Sequence, residues 1–188
     1  VSSEAVWELG PHRVRLLEPA DVEDLVRYWT ETPRSYLFRL GVDLDRVGEA
    51  AEVRARFGSY LEPSLARSRV VYVLTGEDDD VLAYSNACVT SEGIAHAHVH
   101  TLARSKAVVR SVFASFVPVC QDMCTRLAVS SLVFETQPDN RGINGLLSHF
   151  GLVGELREID IPDGLARPGP FLVRRVTRSQ IDALASER

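Results

Sequence analysis

Polar and apolar positions alternate from His12 to Leu17, the period of a strand with one buried face. Pro19 and Asp21 then open a helix whose stripe is Val22, Leu25, Val26 and Trp29, and Pro33 closes it. A second helical stretch is predicted from about Asp45 to Leu65, with Val47, Ala50, Ala51, Phe57, Tyr60 and Leu61 as its apolar face. Arg69 to Leu74 is a short β-branched run, hence a buried strand. The acid-rich turn Gly76 to Asp80 leads into a strand from Val81 to Thr90, and Ser91 to Gly93 turns the chain into another, Ile94 to Ala103. These form an antiparallel meander. Lys106 to Leu127 reads as a long helix with Val109, Val112, Phe113, Phe116 and Val117 inward and a kink at Pro118. Ser131 to Thr136 is a strand, Pro138 to Asn140 a turn, and Ile143 to Phe150 a short helix ended by Gly151. Strands from about Gly154 to Ile161 and Phe171 to Val176 flank a Pro/Gly loop, and Thr177 to Glu187 forms a terminal helix.

The predicted order is β-α-α-β-β-β-α-β-α-β-β: an α/β fold with a mixed, mostly antiparallel central sheet flanked by helices. The one strand-helix-strand crossover joins the strand ending at Ala103 to the one beginning at Ser131. A ligand is expected near that switch, at the carboxyl ends of the strands.

Composition narrows this picture. With 188 residues, 45% of them hydrophobic, the chain is long enough for one core and short for two, so residues 1–188 are read as one domain. No apolar run approaches the roughly 20 residues that span a bilayer. Val1 to Gly10 lacks the basic start and apolar centre of a secretory signal. A cytoplasmic protein with no membrane contact is therefore expected. The net charge of −5 and the lack of a basic stripe argue against nucleic acid as a partner, and are compatible with a cationic small substrate. Cys88, Cys120 and Cys124 contain no CxxC pair, so neither a disulfide framework nor a zinc site is expected; Cys120 and Cys124 share a helical face as small buried hydrophobes.

Two stretches carry a family resemblance. Asn140-Arg141-Gly142-Ile143-Asn144-Gly145-Leu146-Leu147-Ser148-His149-Phe150-Gly151-Leu152 looks like the late segment of the GNAT N-acyltransferases, with Asn140, Gly151 and Leu152 on the family's positions. The family's usual tyrosine, its common general acid, falls on Leu147, which has no proton to give. Thr101-Leu102-Ala103-Arg104-Ser105-Lys106-Ala107-Val108-Val109-Arg110 resembles the family's R/Q-x-x-G-x-G/A loop. There backbone N–H groups at a helix N-terminus hold a pyrophosphate, and glycines let the backbone come close. Arg104 matches; Ala107 and Val109 replace the glycine and the small residue.

The resemblance implies a GNAT-type sheet and acyl transfer, most simply acetyl, from coenzyme A to a primary amine of a small molecule or peptide, with no metal. It places the pantetheine arm on Thr101, Leu102 and Ala103, the pyrophosphate on Arg104, Ser105, Lys106, Ala107, Val108 and Val109, and the reacting end of the cofactor near Asn140. The departures at Val109 and Leu147 also admit a GNAT-fold protein that binds acyl-CoA without transferring anything. A monomer or a homodimer is expected.

His96, His98 and His100 occupy alternate positions of one strand and so share a face, with Ala95, Ala97 and Val99 on the other. Three readings stay open. Two histidines of the row can share a zinc with a third ligand, giving a metal-dependent enzyme. One can act as the general base that the amine needs: His100, nearest the loop, or His98 through a water. Or all three can line a polar cleft without chemistry. Glu135 is expected to point to solvent rather than into the cleft, and Tyr84 and Asn86 share a face that suits a substrate pocket.

Overall fold

A computed structural model describes residues 6–187 apart from 104, 161 and 163. In chain order it runs β1 Trp7–Leu9, β2 His12–Leu16, α1 Val22–Glu31, α2 Arg34–Arg39, α3 Ala50–Gly58, β3 Arg69–Thr75, β4 Val81–Ser91, β5 Ile94–Thr101, α4 Lys106–Arg126, β6 Ser131–Thr136, α5 Arg141–His149, β7 Glu155–Ile159, β8 Gly169–Thr177 and α6 Arg178–Ser186. The eight strands lie in one sheet, ordered β1-β2-β3-β4-β5-β6-β8-β7. Every neighbouring pair is antiparallel except β5 and β6.

The mixed, mostly antiparallel sheet flanked by helices is as predicted, with three corrections. The edge strand β1 and the helix α2 were not foreseen. The helix predicted from Asp45 to Leu65 is only Ala50–Gly58, followed by two 3-10 turns. Its start is set by a capping box in which Glu49 and Glu52 exchange side-chain and backbone hydrogen bonds. Residues before it form loop, because Gly48 sits at φ +82°, outside helical backbone.

The period-2 rule divides two cores. Tyr72 and Leu74 of β3 and Ala95 and Ala97 of β5 pack with Phe116, Cys120 and Met123 of α4. Val71 and Val73 face the other way, among Leu25, Trp29, Val53 and Phe57 of α1 and α3. Strand β3 is apolar on both faces because both are covered. Helix α4 has the length and mean hydropathy, 1.2, to cross a membrane by composition, contrary to the sequence expectation; it packs as a core helix, with Val117, Met123 and Cys124 at 2% exposure or less. Burial pushes the Cys120 and Cys124 thiols up, Cys124 to about 11, so both stay protonated.

Candidate functional site

The site originates in how β5 and β6 meet. Their pairing runs Ile94↔Ser131, Ala95↔Leu132 and His96↔Val133 and then stops. Beyond His96, β5 stays in register with β4 as far as Thr101, while β6 keeps its register with β8. The two parallel strands therefore diverge, and the β6-facing edge of β5 past His96 has no strand to pair with. A cleft of ≈ 1160 Å³ opens there, floored by β5 and β6 and walled by α2, α3, α4 and the start of α5. Loops roof it: Arg167 N–H donates to Gly41 O (2.8 Å), Asp43 N–H to Leu165 O (2.7 Å), and Gln137 Nε2 to Arg167 O (3.2 Å). Gly41, at φ +91°, lies so close to Gln137 that a Cβ would come within 2.9 Å of its Cδ.

The three histidines all line this cleft, as do Tyr84, Asn86 and Cys88 opposite them on β4. They differ sharply in surroundings. His100 stacks on Tyr84 with centroids 4.7 Å apart and meets Trp29 and Tyr28 edge-on, at 5.2 and 5.9 Å. Its Nδ1 lies 3.4 Å from the Tyr28 hydroxyl. This aromatic box withholds water, and burial, followed by the nearby His98, pushes the His100 pKa down to about 3. A value that low disfavours proton uptake by His100 near neutrality, the role expected of it. His98, two residues past the point where the strands part, sits at the head of the cleft floor.

His96 Nδ1 lies 3.9 Å from a carboxylate oxygen of Glu135, and both side chains are 19% exposed. Glu135 thus faces the cleft, correcting the expectation that it points to solvent. It does so because it lies two residues beyond Val133, the partner of His96, and so shares that face. Among the described residues no three His, Cys, Asp or Glu side chains come together to hold a metal ion.

At the other end, Ser105 caps α4 by accepting a hydrogen bond from Val108 N–H (3.1 Å). Val109 N–H already bonds Ser105 O (3.1 Å), which leaves the N–H groups of Lys106 and Ala107 to point out of the helix end. Three of the residues expected to hold a cofactor have their backbone N–H groups engaged within the protein. Leu102 and Ala103 both donate to Leu82 O, at 2.8 and 3.0 Å, so their N–H groups face β4 rather than the cleft. Val108 spends its N–H on the cap and buries its side chain at 2% exposure. Val109, predicted inward, is 42% exposed and lines the cleft with Thr101. Arg104 lies outside the described residues.

Asn140 starts α5 and lines the cleft, its Nδ2 donating to Leu40 O (3.5 Å). Gly151 ends the helix as expected: at φ +69° it donates to Ser148 O (3.0 Å), and Leu152 N–H reaches back to Leu147 O (3.0 Å). Leu147 is fully buried in the core, so the position of the family's tyrosine does not reach the cleft. Sequence reasoning missed Arg56, Tyr36 and Asn144. The first two line the cleft from segments without a readable motif. The Asn144 side chain bonds residues 6 to 30 positions away.

His100 gives a direct test of its box. Between its ordinary value of 6.5 and about 3, the unfolded chain binds a proton here that the folded chain refuses. Stability therefore falls as pH is lowered through that window, by up to about 1.4 kcal/mol per pH unit. His100→Phe removes this term, and urea unfolding from pH 6.5 to 4 should show a flatter decline than the parent. An unchanged slope would place His100 in contact with water.

No family model and no curated protein matches the sequence. Solved structures match the fold. Ribosomal-protein-S5-alanine acetyltransferase from Vibrio fischeri superposes with a TM-score of 0.70 at 12% identity, covering 93% of this chain and 97% of that one. RimJ from Mycobacterium smegmatis, in complex with CoA-disulfide, gives 0.67 at 14% identity over 98% and 92%. Spermidine N-acetyltransferase from Vibrio cholerae, in complex with CoA and spermine, gives 0.69 at 10% identity over 91% and 98%. With its meander and its single parallel pair, the chain has the fold of these acetyltransferases, the GNAT fold.

Proposed function

We propose that the protein transfers an acyl group, most simply acetyl, from coenzyme A to an amine inside the cleft between β5 and β6. One observation carries the reading: an unpaired strand edge runs from the point where β5 leaves β6 toward the open N-terminus of α4. The pantetheine arm of coenzyme A is a chain of amides, and a free strand edge offers such a chain the pairing a further strand would use. The helix end then presents the Lys106 and Ala107 N–H groups, with Lys106 and Arg110 exposed beside them, to the pyrophosphate. Two of the structural neighbours were solved with coenzyme A or its disulfide.

The chemistry needs a base. The amine nitrogen attacks the thioester carbonyl, a C–N bond forms, the C–S bond breaks, and the thiolate leaves with the electron pair. His98 takes the proton released by the nitrogen, because it lines the cleft at the split. His100 acts on it from behind as a neutral, fixed wall. The leaving thiolate takes its proton from water in the open cleft; the Tyr60 hydroxyl is already engaged with Cys88 Sγ at 3.3 Å. Asn140 and Thr101 border the reacting end.

Acetyl-CoA at a hundredfold excess over Kd should stabilise the fold by about 2.7 kcal/mol, raising Tm by roughly 5–10 °C. Absence of any shift with acetyl-CoA or coenzyme A would end this reading. Val109, exposed at the cleft mouth, and the buried Leu147 favour a second reading, in which acyl-CoA binds and nothing is transferred. A thermal shift without thiol release over an amine panel would establish it.

A further inference from the structure

We propose that the acceptor amine carries a carboxylate and that Arg56 recognises it. The inference rests on the acyl-transfer reading for the reaction, and on the cleft wall opposite the cofactor side for the ligand. That wall comes from α1, α2, α3, the 3-10 turn after α3 and β4. Among its described lining residues are Arg39 and Arg56, with Tyr36, Tyr60 and Asn86, and not one acid. The acids that do line the cleft, Glu135 and Asp139, belong to β6 and the turn after it.

Arg56 is the stronger of the two cations. It is half-buried on the last turn of α3. Its Nη2 donates to Val47 O (3.2 Å) and Arg46 O (3.5 Å), both neutral carbonyls. Its Nη1 is buried and has no hydrogen-bond partner. No carboxylate of the described residues lies within ion-pair reach of it. A half-buried guanidinium that lines the cleft with only neutral carbonyls for partners keeps its charge uncompensated, and an anionic ligand oxygen in the cleft is the group that answers it. The planar fork suits a carboxylate, and hydrogen bonds to such a group are charge-assisted. Asn86 Nδ2 and the Tyr60 hydroxyl, 3.5 Å apart, give the same wall further polar groups.

The wall also selects against the opposite charge. A polyamine needs acids to hold its second ammonium, and this surface offers two arginines instead. The net charge of −5, compatible with a cationic substrate, is a property of the whole chain and does not describe this wall. The recognised class is therefore an amino acid or a peptide with a carboxylate near its amine.

The test is a matched panel with acetyl-CoA, read by thiol release: β-alanine and a β-alanine peptide for the carboxylate, propylamine for no anion, phosphoethanolamine for phosphate, and spermidine for a polycation. Ten-fold or greater kcat/KM for either carboxylate amine over the other classes is expected, and which of the two leads distinguishes free amino acid from peptide. Preference for propylamine, phosphoethanolamine or spermidine overturns the proposal. Arg56→Gln should raise KM for the carboxylate amine at least ten-fold and leave that for propylamine unchanged, with Arg56→Lys between. If Arg56→Gln fails to fold, the parent panel still decides. Calorimetry with N-acetyl-β-alanine and N-propylacetamide separates this proposal from the reaction. Tighter binding of the carboxylate amide by a protein that ignores acetyl-CoA sinks acyl transfer and keeps the anion site; equal binding of both amides sinks the site.

Discussion

If His98 is the base of the proposed acyl transfer, His98→Ala should lower kcat by about two to four orders of magnitude, the range that a positioned general base contributes. His98 is chosen over its neighbours by position. It follows the last paired residue of the β5–β6 ladder by two, on the cleft face, so its ring stands where an amine would approach a thioester laid along the free edge of β5. His100 is closer to the helix end but is held neutral in a ring of Tyr28, Trp29 and Tyr84, with a pKa of about 3. A base that weak extracts little from an amine near neutrality. His96 lies deeper, beside Glu135, where the strands are still paired.

The expected pattern is therefore graded. His98→Ala should lose most of kcat, with the acetyl-CoA thermal shift retained, because the proposed cofactor site uses backbone groups further along. His98→Gln behaves the same way, since an amide keeps the volume but accepts no proton. His100→Phe keeps turnover within about ten-fold, since it alters the wall and not the proton acceptor. Thiol release with saturating acetyl-CoA measures all three. Full activity in His98→Ala alongside a collapse in His100→Phe would reverse the assignment.

How much of this was legible in the sequence follows from the range of the forces involved. The meander, the crossover and the Gly151 cap rest on period and on local backbone preference, which a reader of the chain possesses. The alternation that put three histidines on one face is of the same kind. The environment of each histidine is not, because it depends on rings from α1 and β4 that only the fold brings together. Helix α2 was missed because Pro33 reads as a stop, whereas here it precedes a new helix start. Val109 was read as core because α4 is apolar over more than one face, so its stripe does not reveal which side meets the sheet. The bonds of Leu102 and Ala103 to Leu82 escaped because both donors share one β4 carbonyl, which no residue type signals. Arg56 escaped for the same reason: a missing partner is a property of space.

Asn144 is the other residue whose weight is invisible in the chain, and Asn144→Ala is expected to cost about 3–4 kcal/mol of folding stability. Its Oδ1 accepts from Thr136 Oγ1 (2.6 Å) and from Arg174 Nη1 (2.9 Å), and its Nδ2 donates to Gln137 O (2.9 Å) and Pro138 O (3.2 Å). Arg174 is 4% exposed and finds only neutral partners: Asn144, Thr136 Oγ1 (3.0 Å) and Leu152 O (3.0 Å). Burial accordingly lowers its pKa from the usual arginine range. Truncating Asn144 removes one acceptor from a buried cation, each such bond being worth about 1.5–3 kcal/mol, and frees the turn carbonyls for roughly 1 kcal/mol more. Arg174→Met with Asn144 in place removes the cation itself and should cost less. The double variant should then lose less than the sum of the two singles, by about 1 kcal/mol or more, because the uncompensated charge is gone. Urea unfolding of the four proteins measures the cycle. Additive losses, or a cost below about 1 kcal/mol for Asn144→Ala, would show that the network is solvated. The consequence for function is positional: Gln137, Pro138 and Asn140 form the turn that carries the cleft from β6 into α5. Asn144 holds that turn to Arg174 across β8, so loosening it should raise KM for acetyl-CoA even where the variant remains folded.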